Sequence, residues 1–203
     1  MRATHGRILL ALALLATVPA APAAGASGEA NFTTTGGTVT VHGTSSMHDW
    51  SVSGTTAKGS LDLPAGFLGG GATGTAAGSF GIAAKELVSE HDRMNRLMWE
   101  ALRADKHPRI TFELRKATLQ GAGGAAERTV DTEGVLTVGG VARPVRIPFR
   151  VRQDGPRLIA RGELRTRMTE FQIKPPTAML GTMKTGDEIR IELEATFVPA
   201  PRP

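Results

Sequence analysis

The feature that most constrains the fold is an alternation of apolar and polar residues that recurs along most of the chain. Successive side chains of a β-strand point to opposite faces, so this alternation gives each strand one apolar face for a core. The predicted strands, about eight in number, lie at residues 38–42, 50–63, 74–82, 110–115, 129–138, 145–152, 158–165 and 189–197. Gly139-Gly140 and Asp154-Gly155-Pro156 predict tight turns between neighbouring strands.

One segment has helical spacing instead. Its apolar residues recur at i, i+3, i+4, i+7 and i+8, which predicts an amphipathic helix from Glu90 to Ala104, ended by Pro108. Many strands with a single helix indicate an all-β fold, either a sandwich or a closed antiparallel barrel. An eight-stranded barrel either fills its interior with side chains or holds one small ligand.

The first 26 residues have the layout of a secretory signal peptide. A short basic stretch precedes eleven uncharged residues at 8–18, and an Ala-, Pro- and Gly-rich segment follows. The apolar run is too short to cross a bilayer, which needs about 20 residues. We therefore expect residues 1–26 to be removed and the mature protein to be periplasmic or secreted. It would consist of one domain at 27–198 and a disordered tail at 199–203, with no transmembrane segment.

Composition excludes several classes of function. The chain has no cysteine, which rules out disulfides, Cys-bound zinc, iron–sulfur clusters and a thiol nucleophile. Losing Arg2 and Arg7 with the signal peptide leaves 22 basic against 19 acidic residues, a net charge of only +3. No dense basic run interleaved with aromatic residues suggests nucleic acid. The 25 glycines are about twice the usual share of roughly 7%, and predict frequent turns and one long loop at 66–78.

Two alternatives to a binding protein stay open from the residues alone. A metal-dependent or hydrolytic enzyme would use His48, Asp49 and His91. Ser45, His48 and Asp49 include the residue types of a hydrolase triad, but adjacent strand side chains point to opposite faces, which disfavours a relay. The histidines lack the short, face-matched spacing that zinc requires. The other alternative is a ligand-free, stress-protective barrel with a filled interior.

A stripe of arginines marks the outward positions of the predicted hairpin at 145–165. If the last strand pairs with this hairpin, Glu192 and Glu194 face the stripe across the sheet. This predicts a solvated outer face with cross-strand ion pairs; contact with anionic lipid headgroups is the less favoured interpretation. The arginines are Arg146, Arg150, Arg152, Arg161 and Arg165.

Four stretches occur in an order that is typical of one family. They are GTSSMHDW at 43–50, the helical segment and HPRITF at 91–112, GVLTVGGVARPV at 134–145, and FQIKPP through TGDEI at 171–189. In this order they resemble the YceI family of secreted bacterial polyisoprenoid-binding proteins. One departure is the Thr- and Gly-rich start at 31–40, where family members often carry a longer initial strand.

The resemblance implies a lipocalin-like antiparallel β-barrel of about eight strands with one amphipathic helix. It also implies an elongated apolar cavity that holds a polyprenyl chain or a quinone, with no catalytic role and no other cofactor, and in some members a homodimer. The ligand-binding residues that we expect are Trp50, Phe80, Met94, Leu97, Met98, Phe112, Phe149, Phe171 and Phe197.

Overall fold

The computed structural model of the protein describes residues 29–64, 66–69, 75–120, 126–178 and 183–201. The predicted signal peptide lies outside this part of the chain. The strands are β1 (Glu29–Ser45), β2 (Trp50–Gly54), β3 (Lys58–Pro64), β4 (Ala77–Ala83), β5 (Arg109–Gln120), β6 (Glu127–Val138), β7 (Val141–Asp154), β8 (Arg157–Arg167), β9 (Thr177–Ala178) and β10 (Met183–Pro199). The helices are α1 (Asp92–Ala101) and the 3₁₀ turns Phe67–Gly69, Ala84–Glu86 and Met168–Phe171.

The strands close into an antiparallel barrel with eight positions, which confirms the predicted fold class. Neighbours follow the order β1, β3, β4, β5, β6, β7, β8 and β10, and β10 then pairs with β1. β2 and β3 pair with the two halves of β1 and together occupy one position. β9 adds a short pairing at the start of β10. Among the described residues, β1, β3 to β8 and β10 are each paired on both sides, whereas β2 pairs as a strand only with β1 and is joined on its other side by the single Ser53–Val88 bridge.

Strand boundaries differ from the predictions in most strands; for example, β5 runs to Gln120 rather than to residue 115, and β10 begins at Met183 rather than at residue 189. The first strand begins at Glu29 rather than at residue 38, because its Thr-rich start pairs with β10 and β3 without needing apolar alternation. The predicted strand at 50–63 is split at residues 55–57, where the chain passes from one half of β1 to the other. The last strand continues through Pro199, and the Ala200 amide donates to the Asn31 carbonyl at 2.8 Å, so the predicted tail is wrong at these two positions.

The helix is shorter than predicted, and both turns are confirmed. α1 ends at Ala101 because Arg103 adopts a left-handed conformation, with φ of 53°. Gly139 and Gly140 have φ of 55° and 81°, and Gly155 has φ of 59°. These left-handed values favour glycine, which explains why the two hairpin turns could be predicted from the sequence.

Side chains fill one end of the barrel interior more completely than the other. At the more completely filled end, the buried side chains of Phe67 and Ala76 meet those of Leu114, Val130 and Leu158 in a lower core. At the other end, Met94 and Met98 of α1 pack against the buried residues Val52, Ile82 and Leu87. The helix therefore covers one end of the barrel, and the lower core closes the opposite end.

The outer face carries the predicted cross-strand ion pair of Glu194, whereas Glu192 lies opposite Glu163 of β8 and pairs with Arg190 of its own strand. The Arg161 guanidinium donates to the Glu194 carboxylate at 3.0 Å across β8 and β10 and lowers the pKa of that carboxyl. Arg146 lies 3.3 Å from Glu133 on the neighbouring strand. These groups are exposed, so each pair contributes little to stability. No helix within the described residues is long and apolar enough to cross a membrane.

Candidate functional site

A cavity of about 620 Å³ lies inside the barrel, between α1 and the lower core. Its wall is built from the inward positions of the strands, which alternation made apolar. The lining surface is predominantly apolar, so it offers mainly apolar contact and few hydrogen-bonding groups. The aliphatic wall residues include Val39, Val41, Leu136, Val138, Ile147, Leu164, Ile189, Ile191 and Leu193.

α1 forms the wall at the covered end of the cavity. Met94, Leu97 and Met98 of this helix line the cavity, since they share one apolar face at helical spacing. The helix is held by Asn95, which is 6% exposed. Its side-chain oxygen accepts from the Ser89 amide at 2.7 Å and hydroxyl at 2.8 Å, and its amide nitrogen donates to the Ser89 carbonyl at 3.1 Å.

Trp50 is fixed against the barrel wall beside this end. Its indole nitrogen donates to the Thr44 carbonyl at 3.0 Å. A Cβ atom at Gly43 would lie only 2.1 Å from the Trp50 ring, so glycine is required where the ring covers the neighbouring strand. Phe171 and Met168 complete this part of the lining, and both are buried.

Four phenylalanines form the inner end of the cavity, and we call them the aromatic floor: Phe80, Phe112, Phe149 and Phe197. Phe80 is the register partner of Phe112 on β5, and its ring meets Phe197 edge to face with centroids 5.4 Å apart. Below the floor lies a second void of about 70 Å³ that these four residues also line. The floor thus separates the main cavity from a small apolar void in the lower core.

Three rings of the aromatic floor lie over glycines of neighbouring strand positions. A Cβ atom would lie 2.3 Å from the Phe80 ring at Gly59, 2.5 Å from the Phe112 ring at Gly134, and 2.7 Å from the Phe149 ring at Gly162. These distances are too short for any real side chain. The glycine excess therefore serves ring packing within strands as well as the predicted turns; residues 70–74 of the predicted loop lie outside the described part of the chain.

The rim of the cavity is polar and exposed. His48, at the β1–β2 turn, and His91 and Arg93, at the start of α1, all line the cavity and are exposed. Thr177 lies on the rim as well. Residues that both line a cavity and face solvent mark where it opens, so the cavity opens beside the first turn of α1. Thr38, Lys58 and Glu194 also line the cavity and are exposed, so the wall is open to solvent at β1, β3 and β10 as well.

All nine residues predicted to bind a ligand line this cavity. Their contact with a ligand remains a prediction. Sequence reasoning missed most of the aliphatic wall, although the alternation contained the signal, because those residues occupy the same inward positions as the chosen aromatic residues.

The residues of the enzyme alternative are only partly brought together. His48 and His91 line the rim, whereas Asp49 does not line the cavity. Among the described residues, no three His, Asp or Glu side chains are grouped closely enough to hold a metal ion. A cavity of this size also disagrees with the filled interior of a ligand-free barrel.

Several solved structures share the fold. A polyisoprenoid-binding domain from Saccharophagus degradans implicated in plant cell wall breakdown is 11% identical, with a TM-score of 0.63 over 85% of this chain and 100% of that one. BcnA of Burkholderia cenocepacia is 16% identical, with a TM-score of 0.59 over 79% and 95%. The YceI protein of Campylobacter jejuni is 12% identical, with a TM-score of 0.55 over 72% and 82%.

Sequence comparison places the chain in a family. No curated protein matches it in a direct search. The model of the YceI-like domain, however, matches residues 26–197, which include the barrel from β1 almost to the end of β10. The four motif stretches lie within this match, and the barrel with one covering helix is the architecture that the resemblance implied. The chain belongs to the YceI-like family.

Proposed function

We propose that the protein is an exported, non-enzymatic binding protein that holds an apolar isoprenoid-like lipid, a polyprenyl chain or a quinone, inside the barrel. The observation that carries this proposal is the cavity of about 620 Å³ with its apolar wall. A cavity of this size lies within the range of small-molecule sites, about 300–1,000 Å³.

The wall and the rim suit the two ends of an amphiphilic lipid. A hydrocarbon tail needs no hydrogen bonds, and burying it contributes about 25 cal/mol per Å² of apolar surface removed from water. Polar groups are costly to bury without partners, so a headgroup belongs at the exposed rim near His48, His91 and Arg93. We propose this orientation, with the tail pointing toward the aromatic floor.

Two further observations support the proposal. The chain belongs to the YceI-like family, and one protein of the same fold is described as a polyisoprenoid-binding domain. The nine residues expected to contact the ligand all line the cavity, and aromatic and methionine side chains adapt well to a flexible hydrocarbon.

Native mass spectrometry of the protein purified from a lipid-replete host tests the proposal. We expect an adduct that organic extraction identifies as an isoprenoid lipid. Ala195→Trp places an indole in the cavity and abolishes the adduct, whereas Ala142→Trp, at an exposed position outside it, leaves the adduct unchanged. Ligand-free wild type, or equal adducts in both variants, contradicts the proposal.

Export is tested separately on the full-length chain. We propose cleavage between Ala24 and Ser27, so mass spectrometry of the periplasmic or secreted fraction gives a mature chain that starts there. Uncleaved protein that stays in the cytoplasm contradicts this part of the proposal and leaves the ligand-binding part standing.

A further inference from the structure

The aromatic floor is a shared wall between two apolar spaces. Phe80, Phe112, Phe149 and Phe197 line both the main cavity of about 620 Å³ and the void of about 70 Å³ below it. Removing one of these rings would join the two spaces, whereas removing a residue that lines only one of them would not.

The floor is held in place by its neighbours. The rings of Phe112 and Phe149 lie on Gly134 and Gly162, where a Cβ atom would lie 2.5 and 2.7 Å from them. The backbone at these two glycines therefore blocks sideways movement toward the wall, and Phe197, which is 4% exposed, is buried in the lower core. A ligand cannot push such rings aside without disturbing that core.

The void below the aromatic floor suits a hydrocarbon chain, because its lining is almost entirely apolar. Apart from Thr132, its lining is apolar, and the Thr132 hydroxyl already donates to the Ile147 carbonyl at 2.7 Å. A tail that passed the floor would meet Ala117, Val130 and Leu158, which are buried and apolar. The depth available to a tail is therefore set by the floor and not by the chemistry of what lies below.

We infer that the aromatic floor sets the longest isoprenoid tail that the protein accepts. The inference rests on the proposed function and adds a specificity for tail length. The four residues of the floor, Phe80, Phe112, Phe149 and Phe197, would determine how many isoprene units fit in the cavity. Tails up to the length of the cavity bind with increasing affinity, and a longer tail gains no further affinity because its extra unit stays in water at the rim.

A series of polyprenols that differ by one isoprene unit tests this inference. The delipidated full-length mature protein is titrated with each member, and bound ligand is measured by native mass spectrometry. Wild type shows a length limit beyond which affinity no longer rises. Phe149→Ala moves this limit up by about one isoprene unit, since the lost ring and the void together hold roughly that much hydrocarbon. The first polyprenol beyond the wild-type limit then binds at least about tenfold more tightly to the variant.

Three variants control the comparison. Phe32→Ala deletes an equal ring that packs on the lower core but lines neither space, and its limit stays that of wild type. Phe149→Leu removes less volume, folds where the alanine variant does not, and shifts the limit in the same direction. Ala117→Leu fills the lower void, and added to Phe149→Ala it returns the limit toward wild type.

The outcomes separate this inference from the proposed function. Wild type that binds no polyprenol overturns the proposed function and the inference together. Wild type that binds every length equally, or a limit that Phe149→Ala and Phe149→Leu leave unmoved while circular dichroism shows folded protein, overturns the inference alone. A shift that Phe32→Ala reproduces also overturns it, because the effect is then a general loosening of the lower core.

Discussion

The contact between Gly162 and Phe149 shows how single residues shape the cavity. The two residues are register partners on β8 and β7, and a Cβ atom at position 162 would lie 2.7, 2.8 and 3.0 Å from three atoms of the Phe149 ring. Such contacts cannot be absorbed by the wall, so the ring must rotate toward the cavity or the strands must separate. Glycine at this position therefore lets an aromatic ring lie flat against the barrel.

Gly162→Ala is expected to lower the free energy of unfolding by about 1–3 kcal/mol, the usual cost of overpacking. Denaturant unfolding measures this change. Adding Phe149→Leu removes the clash, so the double variant loses less stability than the two single variants predict together. Gly36→Ala is the matched control, since nothing lies within 4 Å of its Cβ position. If the stability losses of the two single variants are strictly additive in the double variant, the clash with the Phe149 ring is not the cause of the loss in Gly162→Ala.

At this scale the sequence predicted the aromatic residues of the site but not the reason for the glycines. The alternation places Phe149 and Gly162 on inward positions of their strands, and this could be predicted from the sequence. The clash depends on which residue of β8 faces which residue of β7, a register set by the turn at Gly155. A glycine inside a strand indicates that another group approaches the backbone closely there, but only the register shows which aromatic ring that group is.

The element that controls access to the cavity is α1, and Asn95 fixes it. Three hydrogen bonds join this buried amide to Ser89, which precedes the helix. Asn95→Ala leaves the Ser89 amide without its partner, and we expect a loss of about 1–3 kcal/mol in the free energy of unfolding. Hydrogen exchange in α1 should become faster, whereas Arg96→Ala, on the exposed side of the helix, changes stability by less than about 0.5 kcal/mol. Unchanged exchange in the Asn95 variant would mean that packing alone holds the helix.

The junction between β10 and the Met168–Phe171 turn depends on Asp187. Its carboxylate accepts from the Thr169 hydroxyl at 2.7 Å and from the Thr169 amide at 2.9 Å, and these bonds lower the pKa of Asp187. Because the folded-state pKa lies below the unfolded one, the contribution to stability is complete above about pH 4 and is lost as the pH falls through the lowered pKa.

Asp187→Asn should therefore destabilise the protein at pH 7, and the difference from wild type should shrink in acid. Denaturant unfolding at pH 7 and near pH 3 measures both effects. Glu188→Gln, which removes the neighbouring exposed carboxylate, is the control for a general change of surface charge. A difference between Asp187→Asn and wild type that stays constant with pH would argue against the hydrogen-bonded carboxylate as its cause.

Elements with strong alternation were predicted well, and elements held by backbone pairing were not. Strands β7 and β8 and the turn between them follow from the sequence, because one face of each strand is buried. The first half of β1 is rich in threonine and glycine and shows no apolar face. It is a strand because β10 and β3 pair with it, a long-range fact that no local pattern contains.

For the whole molecule, closure of the barrel and the proposed filling of its cavity by a lipid would be separate sources of stability. The pairing of β1 with β10 runs from Phe32 and Pro199 to Ser45 and Thr185. It joins two strands of the protein directly and involves no ligand. The side chains of the lower core likewise pack against one another without a ligand, around the void of about 70 Å³. The sequence predicted a barrel but left open whether it was filled, because inward apolar residues look the same beside a cavity and within a solid core.

Removing the lipid should consequently lower the melting temperature without changing the fold. A ligand present at about 100 times its Kd stabilises the folded protein by about 2.7 kcal/mol, which for a domain of this size corresponds to roughly 5–10 °C in Tm. Far-ultraviolet circular dichroism of the extracted protein should match that of the loaded protein, and adding back the lipid should restore the Tm. The Ala195→Trp variant, whose cavity is blocked, should show no such rise. If the circular dichroism signal of the β-strands disappears on extraction, the lipid is part of the core that the fold requires. Barrel closure and cavity filling would then not be separate sources of stability.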